Sequence, residues 1–125
     1  MSESPGIAAR LAPVAKRSTA RITTRGRRTG NPHSVTIWFV VDGDAVYLGT
    51  LDAKRDWVRN AAETPAIELD IAGTRVRGRA HAIADPALEK RVRDLLAAKY
   101  WAAWIASWFG MGPALTFRVD ELEVT

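Results

Sequence analysis

The sequence contains no cysteine. That removes disulfides, a thiolate nucleophile and any cysteine-ligated metal, and it fits a reducing, cytoplasmic location. Histidine is nearly as scarce, with only His33 and His81 present. They lack the spacing of a helical metal pair, and two imidazoles alone do not close a metal site. No run reaches the roughly 20 apolar residues that cross a bilayer. Met1–Pro13 has no apolar stretch of signal-peptide length. The common catalytic templates are missing as well. There is no Gly-x-Ser-x-Gly, no Gly-x-Gly-x-x-Gly and no phosphate loop ending in Gly-Lys-Ser/Thr. Ser34 follows His33 directly, but neighbours on a strand point to opposite faces, so they are not a nucleophile and its base. If the chain is an enzyme, a bound cofactor is the expected source of its chemistry.

What is present is a single domain's worth of chain. The 125 residues, 47% hydrophobic and 26% charged, can bury a real core. The net charge of +4 is unevenly placed. Residues 1–30 carry Arg10, Lys16, Arg17, Arg21, Arg25, Arg27 and Arg28 against Glu3 alone, a local +6 that leaves −2 for the rest. An anionic ligand is therefore to be sought at the N-terminal third.

Hydrophobic periodicity predicts the elements. Residues 1–17 form a tail or short helix, with an amphipathic patch at Ile7–Val14, and residues 18–125 form the domain. Strands are expected over Ser18–Thr24, Ser34–Val41, Ala45–Thr50, Ala66–Ile71, Val76–Ile83 and Leu115–Val124. Asp42-Gly43-Asp44 signals a tight hairpin. A helix is expected over Asp52–Glu63, capped by Asp52 and stopped by Pro65. A second is expected from Asp85-Pro86 to about Phe109, with Asp85 as cap and the pairs Glu89–Arg93 and Lys90–Asp94 on its wet side. The fold class is mainly β with two helices. About six mostly antiparallel strands close into a small barrel and so lose their edges.

Two stretches suit anions. Arg25-Gly26-Arg27-Arg28-Thr29-Gly30-Asn31-Pro32 is a basic, glycine-punctuated turn offering guanidinium groups, a hydroxyl and backbone N–H groups. Thr50–Arg55, with Lys54 and Arg55, leads into a helix N-terminus. Together they bracket the hairpin Val35–Leu48. A ligand with phosphate or carboxylate groups and a flat apolar body would fit between them. The alternative is that these basic side chains are solvated surface.

Thr23-Thr24-Arg25-Gly26-Arg27-Arg28-Thr29-Gly30, then Val35-Thr36-Ile37-Trp38 and Asp42-Gly43-Asp44, resembles the deazaflavin (F420)-dependent nitroreductase family. These are split β-barrel flavin/deazaflavin oxidoreductases related to pyridoxamine-phosphate oxidase. Lys54-Arg55-Asp56-Trp57-Val58-Arg59-Asn60-Ala61 is similar to that family's Trp-x-x-Asn helix, and the resemblance covers about residues 18–84. It implies that Arg27, Arg28 and Thr29, with Gly30 in the same turn, hold the phosphate and acidic tail of coenzyme F420. His33 stands where many members have arginine. Backbone groups at Thr36, Ile37 and Trp38 would face the ring, and Thr50, Lys54 and Arg55, with Trp57 behind, would close the other side. The implied activity is hydride transfer from reduced deazaflavin to a small electrophile such as a quinone, nitroaromatic or enone. The alternative is a barrel that binds FMN or another ligand without turnover.

The end of the second helix carries Trp101, Trp104 and Trp108 on one face. Three readings compete: core or homodimer contact, an aromatic wall over the substrate, or peripheral membrane contact. Tyr100, in the same stretch, is the candidate proton donor. Arg75, Arg77, Arg79 and His81 share one strand face, expected to be a solvated or salt-bridged row. A nucleic-acid role has only the N-terminal arginines behind it, with no recognised motif and no aromatics nearby. The expected partners are a small-molecule substrate and a second copy of the chain.

Overall fold

In six segments apolar side chains recur at every second position, and each segment forms a strand. The computed structural model describes residues 6–50, 54–100 and 115–125. Its strands are β1 Ala20–Arg25, β2 Pro32–Asp42, β3 Ala45–Thr50, β4 Ala66–Ile71, β5 Thr74–Ala82 and β6 Leu115–Val124. They close into a barrel in the order β1-β2-β3-β6-β5-β4, and β4 returns to pair with β1. Every pair is antiparallel. Three helices decorate it among the described residues: α1 Ile7–Leu11 with a 3-10 turn at Ala12–Val14, α2 Asp56–Glu63 and α3 Pro86–Lys99.

The inward side chains Ile22, Phe39, Leu48, Leu69, Val76 and Val119 make one core. Leu11 and Val14 join it from the N-terminal segment, and Trp57, Val58 and Ala61 join it from α2. Burying each of the larger of these contributes roughly 1.5–3 kcal/mol. A second cluster lies outside the barrel wall. There Val40 and Tyr47 meet Val92, Leu96 and Tyr100, with Trp38 packed against them. This explains why β2 turns continuously apolar at Ile37–Val41: Ile37 and Phe39 face the interior while Trp38 and Val40 face α3.

Turn chemistry supports the register. Gly43 takes φ +64° in the β2–β3 hairpin. Ala72 and Gly73, at φ 51° and 95°, turn β4 into β5, and the Gly73 N–H donates to Asp70 Oδ1 at 2.9 Å. Between Arg77 and Arg79 the pairing of β5 with β6 shifts register. A Cβ on Gly78 would lie 2.7 Å from the Asp120 carbonyl, so glycine is what allows the two strands to close there.

Two helix boundaries differ from expectation. The first long helix begins at Asp56 and Arg55 occupies its N-cap position with no side chain capping it, while Asp52, the expected cap, lies outside the described residues. The buried stripe starts only at Trp57, and the Asp56 carboxylate already faces the positive helix end. α3 starts as expected, with Asp85 Oδ1 accepting from the Ala87 N–H, but it ends at Lys99 rather than near Phe109. Tyr100 leaves helical geometry at φ −113°, ψ 30°. The side chains of Lys99 and Tyr100 both reach the Phe39 carbonyl, at 2.9 and 3.0 Å. Trp101, Trp104 and Trp108 lie outside the described residues.

The predicted ion pairs on α3 form, Lys90–Asp94 at 3.1 Å and Arg93–Glu89 at 3.5 Å. Arg91 reaches Asp42 at 2.7 Å and ties the helix to the hairpin. On β5, Arg75, Arg77 and Arg79 pair with Asp70, Glu123 and Glu121, a salt-bridged row.

Candidate functional site

β2 changes partner halfway along. Pro32–Ile37 pairs with β1, whereas Trp38–Asp42 pairs with β3. Beyond Thr50, the end of β3, no described strand continues alongside the first half of β2. In an antiparallel pair, alternate residues turn their N–H and C=O groups away from the partner. The first half of β2 therefore presents backbone donors and acceptors on its β3 side. A hollow of about 420 Å³ opens there, lined by Val35, Thr36, Ile37, Trp38, Gly49, Thr50, Arg55, Asp56 and Trp57.

A second hollow of about 390 Å³ lies between the β1–β2 turn and α2. Its walls are Gly26, Arg27, Arg28, Thr29, His33, Asp56, Arg59 and Asn60. Asp56 lines both hollows, so they adjoin. The turn itself is the six residues Gly26–Asn31, because Arg25 and Pro32 already pair as the last rung. It is closed by Gly26 N–H to Asn31 O at 2.7 Å and Gly30 N–H to Gly26 O at 2.8 Å. Thr29 Oγ1 accepts from the Asn31 N–H at 3.2 Å, and Arg25 Nη1 donates to Gly30 O at 2.8 Å. His33 packs against this turn; a Cβ on Gly26 would fall 2.8 Å from its Nε2.

α2 holds the turn through one side chain. Asn60 is 3% exposed. Its Oδ1 accepts from Arg27 N–H at 3.2 Å and Arg27 Nη1 at 2.8 Å, and its Nδ2 donates to Thr24 Oγ1 at 3.2 Å. Arg27 Nη2 also reaches Asp56 Oδ1 at 3.3 Å. Arg27 is thus largely spent on the fold. Arg28 and Arg59 are exposed, and their side chains make no hydrogen bond or ion pair among the described residues. These two guanidinium groups are the cations this hollow can offer to an anion.

The predicted site residues divide three ways. Arg27, Arg28, Thr29 and His33 come together at the cationic hollow, and Thr36, Ile37, Trp38, Thr50, Arg55 and Trp57 at its neighbour. Trp57 is buried, tilted against Phe117 with ring centroids 5.1 Å apart, so it backs the hollow more than it lines it. Gly30 and Lys54 are exposed but line neither hollow. Tyr100 is not at the site surface. It stacks on Trp38 at 4.9 Å, its hydroxyl lies 2.6 Å from Ser18 O, and it accepts from the Phe39 N–H at 3.2 Å. Burial raises its pKa. A phenol committed to backbone in this way serves the fold, and it lines neither hollow.

Lys99 sits beside it, 3.6 Å from the centre of the Phe39 ring, with Nζ donating to Ala15 O at 3.1 Å and Phe39 O. Burial lowers its pKa to about 8. Sequence reasoning quoted Asp56, Arg59 and Asn60 within the Trp-x-x-Asn resemblance but gave none of them a role at the site. The available signal was an asparagine on the apolar stripe Trp57, Val58, Ala61, where a polar side chain needs a partner. Among the described residues no cluster of acidic and imidazole groups could hold a metal, and no helix is long and apolar enough to cross a membrane.

The family model described as pyridoxamine 5'-phosphate oxidase matches residues 8–125. Solved structures of similar fold include General Stress Protein 26 of Bacillus anthracis, 14% identical over 95% of this chain and 98% of that one, TM-score 0.67. A conserved hypothetical protein of Mycobacterium tuberculosis is 20% identical over 99% and 84%, TM-score 0.64. An F420-H2 dependent reductase is 15% identical over 83% and 95%, TM-score 0.64. No curated protein matches the sequence. With the six-stranded antiparallel barrel and a family match running over nearly the whole chain, the protein belongs to the pyridoxamine 5'-phosphate oxidase family.

Proposed function

We propose that the two adjoining hollows bind a phosphorylated cofactor with a flat ring, and that the protein is an F420-dependent reductase of small electrophiles such as quinones, nitroaromatics or enones. The observation that carries this is the first half of β2, whose β3 side has no partner strand among the described residues, lying next to the guanidinium groups of Arg28 and Arg59. Charge-assisted hydrogen bonds from these groups suit phosphate and carboxylate oxygens. Thr29 and His33 border the same anion. Backbone groups around Thr36, Ile37 and Trp38 hold the polar edge of the ring, and Arg55 caps the far side. Trp38 is itself held flat by Tyr100, with only 12° between the ring planes.

When bound, the reduced deazaflavin supplies a hydride to the electrophile, and a proton from water completes the reduction. The chain's own task is positioning and exclusion of water, which suits a site with no triad and no metal set. One solved relative, an F420-H2 dependent reductase, shares the fold. Another, 14% identical over 83% of this chain and 81% of that one with TM-score 0.68, is described as a domain-swapped dimer. A homodimer is part of this reading.

The test is a fluorescence titration of the purified protein with F420 and with FMN, followed by reductase assays. Submicromolar binding of the deazaflavin with turnover supports the proposal. Tight binding of FMN alone makes it a flavin protein instead. Binding without turnover makes it a carrier, and binding of neither removes the reading.

A further inference from the structure

The N-terminal basic charge is divided in space. Arg25, Arg27 and Arg28 belong to the β1–β2 turn, but Lys16, Arg17 and Arg21 do not. They line a separate groove of about 700 Å³ along the segment that enters β1, together with Thr19, Thr36 and Asp70. Thr36 also lines the hollow beside β2, so the groove opens onto it from the side away from Arg28. Pairing explains the placement: Arg21 stands between Thr36 on β2 and Asp70 on β4.

The groove has surplus positive charge. The side chains of Lys16 and Arg17 make no hydrogen bond or ion pair among the described residues. Arg21 makes one long bond, to Ser34 O at 3.3 Å. Asp70 is already engaged by Arg75 at 3.4 Å and by the Gly73 N–H. Three cations face this opening against one carboxylate, Asp70, which is shared with Arg75.

We infer that this groove selects the second substrate: an electrophile carrying a carboxylate or sulfonate, whose charged end lies against Lys16, Arg17 and Arg21 while its flat end reaches the hollow beside β2. The inference rests on the proposed function for the flat end, while the anion contact stands on the groove itself. Thr36 joins the groove to the hollow beside β2, and Asp56 joins that hollow to the one at Arg28, so the cofactor's anions and the substrate's meet different basic groups. Like charges then do not compete for one set of arginines.

The experiment compares 1,4-naphthoquinone with 1,4-naphthoquinone-2-sulfonate, using the whole chain and its Lys16→Ala/Arg17→Ala variant. Circular dichroism melting first establishes that the variant folds; if it does not, Lys16→Gln/Arg17→Gln replaces it. In the wild type the sulfonate should show the lower KM. In the variant the ratio of KM values, anionic over neutral, should rise about ten-fold or more. An unchanged ratio overturns the inference. So does a fall in F420 affinity that matches the rise in sulfonate KM, since the groove then holds the cofactor's own acidic tail. Loss of sedimentation with phosphatidylglycerol vesicles, with no change in the ratio, would make it a lipid-headgroup contact instead. If the wild type binds neither F420 nor FMN, quenching of tryptophan fluorescence by the sulfonate still decides the groove. Quenching that is about ten-fold weaker in the variant supports the anion site, and equal quenching overturns it.

Discussion

Arg27 and Arg28 are adjacent and identical in charge, yet their environments give them different work. Arg27 is held by Asn60 and Asp56 with its side chain 18% exposed, whereas Arg28 stands free at the rim. Arg28→Ala should therefore weaken cofactor binding about ten-fold or more, the value of a charge-assisted contact of about 1.5–3 kcal/mol, and leave the melting temperature almost unchanged. Isothermal titration and thermal melts check both halves. Asn60→Ala should do the reverse. It orphans the Arg27 N–H donors and the Thr24 hydroxyl acceptor in a buried place and should cost about 1–3 kcal/mol in a urea unfolding curve. A variant that lost Arg27 and Arg28 together would mix these two effects, so the single changes are the informative ones.

Lys99 allows a prediction of pH dependence. Its folded pKa is lowered to about 8 from 10.5 by burial, opposed by the two carbonyls and the Phe39 ring that favour the charged form. A lysine whose folded pKa is depressed binds fewer protons folded than unfolded between those values, so its contribution to stability rises with pH across about 8 to 10.5. Below about 8 the full cost of burying the charge is present. Urea midpoints of the wild type relative to Lys99→Met should climb through that window. A flat difference would mean that Lys99 keeps its ordinary pKa.

At the scale of elements, two backbone positions mark where the barrel is under constraint. Ala72 adopts φ 51° in the β4–β5 turn, a conformation that costs an alanine about 1–2 kcal/mol. Ala72→Asn should raise the melting temperature, because asparagine tolerates that region and the turn is exposed. Gly78→Ala should lower it sharply, since the added methyl meets both the Asp120 carbonyl and Val119 Cγ1 at 2.7 Å. Overpacking of this kind costs typically about 1–3 kcal/mol. The two helices show where periodicity stops being a guide. α2 and α3 were legible as helices from their apolar stripes and from Asp85-Pro86. Their ends at Asp56 and Lys99 were not, because each end is set by contacts with strands distant in sequence.

For the whole molecule, a homodimer is expected, to be checked by light scattering at micromolar concentration. Val35 and Val124, at 39% and 40% exposed, are the only large apolar side chains open to solvent among the described residues. A dimer seam built on the described surface would therefore be mostly polar. Cofactor affinity should also fall as salt is raised, since the anion contacts at Arg28 and Arg59 are exposed and screened.

The sequence alone determined six strands with nearly correct limits, the hairpin at Gly43, the Asp85 cap and a mainly β barrel. These follow from period-two alternation, turn residues and capping, which act over a few residues. It also located the basic turn and, by resemblance, the residues that border it. Only the tertiary structure decided which arginines are free. That depends on Asn60 reaching across from α2, a contact 33 residues distant in the chain from Arg27. The same holds for the first half of β2, left without a partner on its β3 side among the described residues because one strand changes neighbours in a closed barrel. It holds too for Tyr100, whose phenol turns inward to Ser18 and Phe39 because α3 packs on the outer face of β2. Local pattern specifies elements; which polar groups are left over for a ligand depends on how the closed barrel pairs the others.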